Sequence, residues 1–103
     1  MKGLAHGQVW WADLDKVRPV VILTRGTVAE KLSHVLVAPV TTVTRNIPAE
    51  VQVGLNEGVQ PGSVVNFDNV TLLSVALLID RAGGVSTARW PEFCEAMRKV
   101  MAC

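Results

Sequence analysis

Arg18 opens an apolar run, PVVIL (19–23), and a polar group of Thr41, Thr42, Thr44 and Arg45 closes another, HVLVAPV (34–40). A third polar group, Asn66, Asp68 and Asn69, interrupts a third apolar stretch. A guanidinium offers a permanent charge and a fork of donors, and hydroxyls and amides add neutral hydrogen bonds. Together these groups are what orients and neutralises a phosphodiester. They act together only if neighbouring strands bring their ends to one rim. The same residues serve equally well as a strand cap, β-forming threonines and turn formers, so the residues alone leave both readings open.

Most other catalytic devices are missing from the sequence. It contains no GxGxxG, P-loop, HExxH or GxSxG, which sets aside the commonest nucleotide, metalloprotease and hydrolase motifs. The two histidines, His6 in an N-terminal segment expected to be mobile and His34 at a strand start, read as surface or edge residues rather than an acid/base pair. Cys94 and Cys103 have no histidine at ligand spacing, so neither a metal nor another cofactor is expected. Both are expected as free thiols, Cys94 buried and Cys103 in a fraying tail.

The elements that must position these groups follow from composition. The chain has 103 residues, half of them hydrophobic and 18% charged; it reads as one domain, 1–103, with no linker or repeat. A net charge of +1 neither demands nor excludes a nucleic-acid partner. No secretory leader opens the chain, and apolar runs such as 75–79 are too short to span a bilayer. A cytoplasmic location without membrane attachment is the expectation.

Valine-rich runs predict strands over 8–14, 19–24, 34–40, 49–53, 63–67, 69–73 and 77–82, the last ended by Gly83-Gly84. Pro39 within the third predicts a bulge or an unpaired position. The segment 25–33 is polar, with a helical turn at 28–32. Trp90, Phe93, Cys94, Met97, Val100 and Met101 recur at helical spacing, and Pro91 is tolerated only in a first turn, so a helix starts at 88–90. Adjacent Trp10 and Trp11 must face opposite sides of a strand, one into the core and one towards a base or a partner. Arg81, Arg89, Arg98 and Lys99 read as solvated or interface charges. The sum is a mainly β fold, a small barrel or curled sheet capped by a C-terminal helix.

Three ordered stretches, GQVWWADLDKVRPVVILTR (7–25), VAPVTTVTRNIPAEVQV (37–53) and SVVNFDNV (63–70), resemble the MazF/PemK family of toxin endoribonucleases over nearly the whole chain. The resemblance implies an SH3-like barrel, the fold shared by MazF, Kid and CcdB toxins, assembled as a homodimer and inhibited by a MazE-like antitoxin. It implies sequence-specific cleavage of single-stranded RNA without metal, by 2′-OH attack, giving 2′,3′-cyclic phosphate and 5′-OH ends. The family's catalytic arginine carries over to Arg18 and its threonine to Thr41, with Thr42 the adjacent alternative. Lys16, Arg25 and Arg45 are then the phosphate contacts, and Asn66, Asp68 and Asn69 the readers of base edges. Many relatives carry a longer glycine-rich loop before the Arg-Pro pair, whereas 15–17 is all that stands here, predicting an open groove with Lys16 at its edge. A CcdB-like gyrase poison and an inactive RNA-binding barrel are the alternatives, because fold alone does not decide function.

Overall fold

β-Branched residues lose rotamer freedom in a helix but pack well on a pleated surface, and the valine-rich runs form strands. The computed structural model describes residues 4–25 and 31–100. Along them run β1 (Gln8–Asp13), β2 (Val17–Ile22), β3 (His34–Thr41), β4 (Glu50–Val53), β5 (Ser63–Asn66), β6 (Thr71–Ser74), β7 (Leu78–Gly84) and the helix α1 (Trp90–Val100). Single 3₁₀ turns occupy Leu55–Glu57, Phe67–Asn69 and Val75–Leu77. Most of the expected turn at 28–32, together with Met101 and Cys103, lies outside the described residues. No helix among the described residues is long and apolar enough to cross a membrane.

The strands form one antiparallel sheet in the order β4-β5-β3-β2-β1-β7, with β6 also on β3. This is the expected curled sheet with a C-terminal helix, although among the described residues strand pairing does not close it into a barrel: β4 and β7 end the path without pairing each other, and β6 pairs only with β3. β2 is central and apolar on both faces because both are covered. Val21 joins Val40, Val65, Phe67 and Phe93 in the core beneath α1. Val20 and Ile22 join Trp10, Val35, Val37 and Leu78 in a second core. Each such side chain contributes on the order of 1.5–3 kcal/mol on burial, so β2 is held firmly from two sides.

β3 changes partner along its length. His34–Val37 pair with β6 and Val40–Thr41 with β5. Pro39 falls at that switch, paired with Val20 on the β2 side only, where its missing N–H costs no ladder bond. The unpaired position expected of Pro39 is therefore real on one side of the strand.

Several expectations are corrected by the tertiary structure. Residues 14–16 form the β1–β2 turn, and β2 runs over Val17–Ile22 rather than 19–24, so Arg18 lies within the strand. β7 runs through Gly83 and Gly84 instead of ending at them. The reason is a backbone contact: a Cβ on Gly83 would stand 2.3 Å from the Glu57 carbonyl oxygen, and one on Gly58 2.1 Å from that of Ala82. Gly58 also has φ +85°. The 55–58 turn thus packs directly on β7 and covers the seam that strand pairing leaves open.

Arg89 ties the same seam to the helix and is no free surface charge. Its Nη1 lies 3.2 Å from Glu57 Oε1, and its Nη2 donates to the Gln52 carbonyl at 2.7 Å. It pairs with Glu92 as well, and its guanidinium sits 5.5 Å from the Phe93 ring centroid. Glu57 is buried, and its Oε1 accepts from the Gly54 N–H at 2.8 Å. His6, expected on a mobile segment, lies 5.2 Å from the Trp90 ring, which stacks on Phe93. Cys94 is half-buried rather than buried.

Gly83→Ala is expected to destabilise the protein by about 1–3 kcal/mol or more, because the clash is with backbone. Gly62→Ala, where φ is +82° but space is open, should cost only the left-handed strain of about 1–2 kcal/mol. Arg89→Ala leaves the buried Glu57 carboxylate unpaired. Its expected cost is about 2–3 kcal/mol, below that of fully buried pairs because Arg89 keeps 31% exposure. Chemical denaturation of the three variants checks all three values.

Candidate active site

The register of β2 on β3 decides which polar groups meet. Val20 pairs with Pro39, Val21 with Ala38 and Ile22 with Val37. Continued by two residues on each strand, the same antiparallel register sets Arg18 opposite Thr41. Directly opposed residues project to the same face of a sheet. Consistent with this, both residues line two adjoining concavities, of about 420 and 270 Å³.

The larger concavity is lined by Trp11, Lys16, Thr42, Gln60 and Ser63 beside the shared Arg18 and Thr41. The smaller is lined by Arg45, Asn66 and Asn69 beside the same pair. Lys16, Arg18 and Arg45 contribute three cations to these walls, and among the described residues no carboxylate lines either one. A near-neutral protein thereby carries a locally positive cleft, the arrangement that attracts a polyanion.

Several of these polar groups are held by their own neighbours. Asp15, in the β1–β2 turn, accepts from Arg18 Nε at 3.3 Å, which leaves both Nη groups without a partner among the described residues. Thr41 Oγ1 accepts from the Val43 N–H at 3.1 Å, so its own proton remains available to donate. The loop after β3 is stapled by Glu50, whose carboxylate accepts from the Thr44 hydroxyl at 3.0 Å and from the Arg45 and Asn46 N–H groups. That staple fixes the Arg45 backbone and explains why Thr44 is turned to Glu50. Asn66 is buried, and its Oδ1 accepts from the Asp68 N–H at 2.9 Å.

Seven of the nine residues singled out from the sequence therefore converge: Arg18, Thr41, Lys16, Thr42, Arg45, Asn66 and Asn69. The other two do not join them. Asp68 lines apolar hollows with Leu23, Leu36, Met97 and Val100. Arg25 is exposed past the far end of β2, and Arg18 to Ile22 alone spans about 13 Å of extended chain. Among the described residues no cluster of three or more His, Cys, Asp or Glu side chains offers a metal site.

Residues 5–101 match the family model described as PemK-like, MazF-like toxin of type II toxin-antitoxin system. The chain belongs to this family. A protein of Mycobacterium tuberculosis strain ATCC 25618 / H37Rv described as probable endoribonuclease MazF5 is 38% identical, the match covering 96% of this chain and 94% of that one. The solved structure of the Mycobacterium tuberculosis toxin MazF-mt6 superposes with a TM-score of 0.87 at 37% identity, covering 91% of this chain and 95% of that one. An endoribonuclease from a mycobacterial species, solved in complex with its cognate antitoxin, superposes with a TM-score of 0.85 at 26% identity, covering 95% and 94%.

Within this member of the family, the cleft holds two residues that sequence reasoning passed over, Gln60 and Ser63. The Gly-Pro-rich loop around them reads as featureless connection, and nothing local says that it folds against the end of β3.

The turn of β1 into β2 has its own pH signature. The Lys16 backbone N–H, and then the Arg18 guanidinium, hold the Asp15 carboxyl below the usual value of 3.8. A depressed folded pKa means that the contribution is complete above the unfolded value and is lost as pH falls through the folded one. The stability difference between wild type and Asp15→Asn is therefore expected in full near pH 7 and should shrink in acid below pH 3.8. An NMR titration placing the Asp15 midpoint above that value contradicts the pair.

Proposed function

We propose that this protein is the toxin of a type II toxin–antitoxin pair and an endoribonuclease, with the scissile phosphate of single-stranded RNA seated between Arg18 and Thr41. The observation that carries the site assignment is that Arg18 and Thr41 both line the two adjoining concavities, just beyond the last pair, Val20 with Pro39, of two neighbouring strands. Family membership and the names of the relatives support RNA cleavage, and the carboxylate-free, cationic walls support a polyanionic substrate.

The chemistry needs little from the protein beyond alignment and charge. The RNA's own 2′-OH loses a proton and its oxygen bonds to phosphorus. The P–O5′ bond breaks, and the departing oxygen takes up a proton. The products are a 2′,3′-cyclic phosphate and a 5′-OH, and the step consumes no water, oxidant or reductant. Negative charge grows on the phosphorane oxygens, where preorganised donors are worth most. The two Nη groups of Arg18, unpaired among the described residues, form a fork matched to two such oxygens. Thr41 donates its remaining proton to a third contact and fixes the phosphate for in-line attack. A guanidinium is too weak a base to take the 2′-OH proton, so Arg18 acts as the electrostatic group. Lys16 and Arg45 hold the flanking phosphates.

The partners belong to the same reading. An antitoxin that orders on this surface would offer carboxylates to Lys16, Arg18 and Arg45, in keeping with the relative solved with its cognate antitoxin. The protein acts as a homodimer in the cytoplasm, where its RNA substrate is.

Long unstructured RNA incubated with the protein in excess EDTA should be cut reproducibly, leaving 5′-OH ends. Arg18→Ala should lower kcat by about 10²–10³-fold, the usual cost of one oxyanion donor. Intact RNA across diverse sequences overturns the reading, and inhibition of DNA gyrase supercoiling in its place assigns the protein to the gyrase poisons.

A further inference from the structure

The two concavities that share Arg18 and Thr41 differ in chemistry. The larger one contains a tryptophan, Trp11, whereas the lining of the smaller one is without an aromatic ring. Trp11 stands on β1 opposite Pro19, the residue next to Arg18. Its neighbour Trp10 is buried in the second core, and its indole Nε1 donates to Gln8 Oε1 at 2.9 Å. Trp11 is only half-buried, and among the described residues nothing accepts from its indole N–H. A ring with one apolar face packed and its polar N–H open is suited to contact a ligand in the cleft.

Gln60 stands at the same cleft, at an exposed turn position. Ser63 fixes that turn: its buried Oγ donates to the Gln60 carbonyl at 2.6 Å. The Gln60 side-chain amide stays exposed and carries both a donor and an acceptor.

We infer that Trp11 and Gln60 determine specificity on one side of the cut. The base of one flanking nucleotide stacks on Trp11 and pairs its edge with Gln60, while Asn66 and Asn69 read the base on the other side from the smaller concavity. Ser63 is a positioning residue for Gln60. The inference rests on the RNA-cleavage reading above and deepens it. With the phosphate on the shared wall, its two neighbouring bases leave in different directions and enter different pockets. The indole face accepts any base, whereas the amides supply discrimination. The competing occupant of the larger cleft is an antitoxin side chain.

The test is cleavage of a randomised RNA pool by the whole protein, sequencing both sides of every cut. Gln60→Ala should change base preference on one side and keep the wild-type preference on the other. Asn69→Ala should do the reverse. Trp11→Leu should lower kcat/KM about 5- to 150-fold, the range for losing one base–aromatic stack, and Trp11→Phe should restore most of it. If Trp11→Leu fails to fold by thermal denaturation, the Gln60 and Asn69 variants decide alone. Unchanged preferences in both of those variants, or changes on both sides in each, overturn the inference while wild-type cleavage leaves the nuclease reading in place. Weaker antitoxin binding in Trp11→Leu with unchanged kcat/KM makes the cleft a peptide site and also overturns it. Absence of cleavage by the wild type overturns the nuclease reading itself.

Discussion

Gly58 and Gly83 press backbone against backbone, and the curled sheet depends on that contact because its own edges do not pair. An unpaired edge strand exposes a row of donors and acceptors and invites other chains. Here the 55–58 turn lies across the gap between β4 and β7, and neither glycine can carry a side chain where the two backbones meet. Arg89 then joins the turn, β4 and α1 through Glu57, the Gln52 carbonyl and the Phe93 ring. The helix lies over the core on Phe93 and Ala96, and the seam connects this packing to both ends of the sheet.

The site inherits its geometry from that frame. β2 runs between two apolar cores, with Val20 and Ile22 in one and Val21 in the other. Three buried β-branched residues on alternating faces pack the strand from both sides, and close packing leaves it little room to shift. Arg18 stands two residues before this run and Thr41 at the end of β3. A rigid strand pair costs little reorganisation when charge develops on a substrate, which is the basis of electrostatic preorganisation. Only the turn at 14–16 precedes β2, and Asp15 there occupies Arg18 Nε without covering its Nη groups. The ion pair is exposed, and it orients the guanidinium more than it stabilises the fold.

Much of this was legible in the residues. The valine runs marked each strand to within a few positions, Pro91 marked the helix start, and the adjacent tryptophans divided between a core and a cleft. The failures have a common physical origin. Gly83-Gly84 reads locally as a break, yet it continues β7 because another backbone needs the room. Arg89 reads as a solvated or interface charge, yet Glu57, 32 positions earlier in the chain, buries a carboxylate beside it. Asp68 shares a short segment with Asn66 and Asn69, but the 3₁₀ turn over Phe67–Asn69 points it to the apolar hollows beside α1.

Local sequence specified the kinds of element and the chemistry available: valine-rich runs, one amphipathic helix, and an arginine, threonines and asparagines at strand ends. Those are local properties, set by side-chain rotamers and by which face each residue takes. Tertiary packing is what brings Arg18 and Thr41 onto one wall shared by two clefts, with Trp11 and Gln60 lining one of these and Asn66 and Asn69 the other. Strand register and the folding of loop 54–62 join residues far apart in the chain, and their energies come from packing that no single stretch contains.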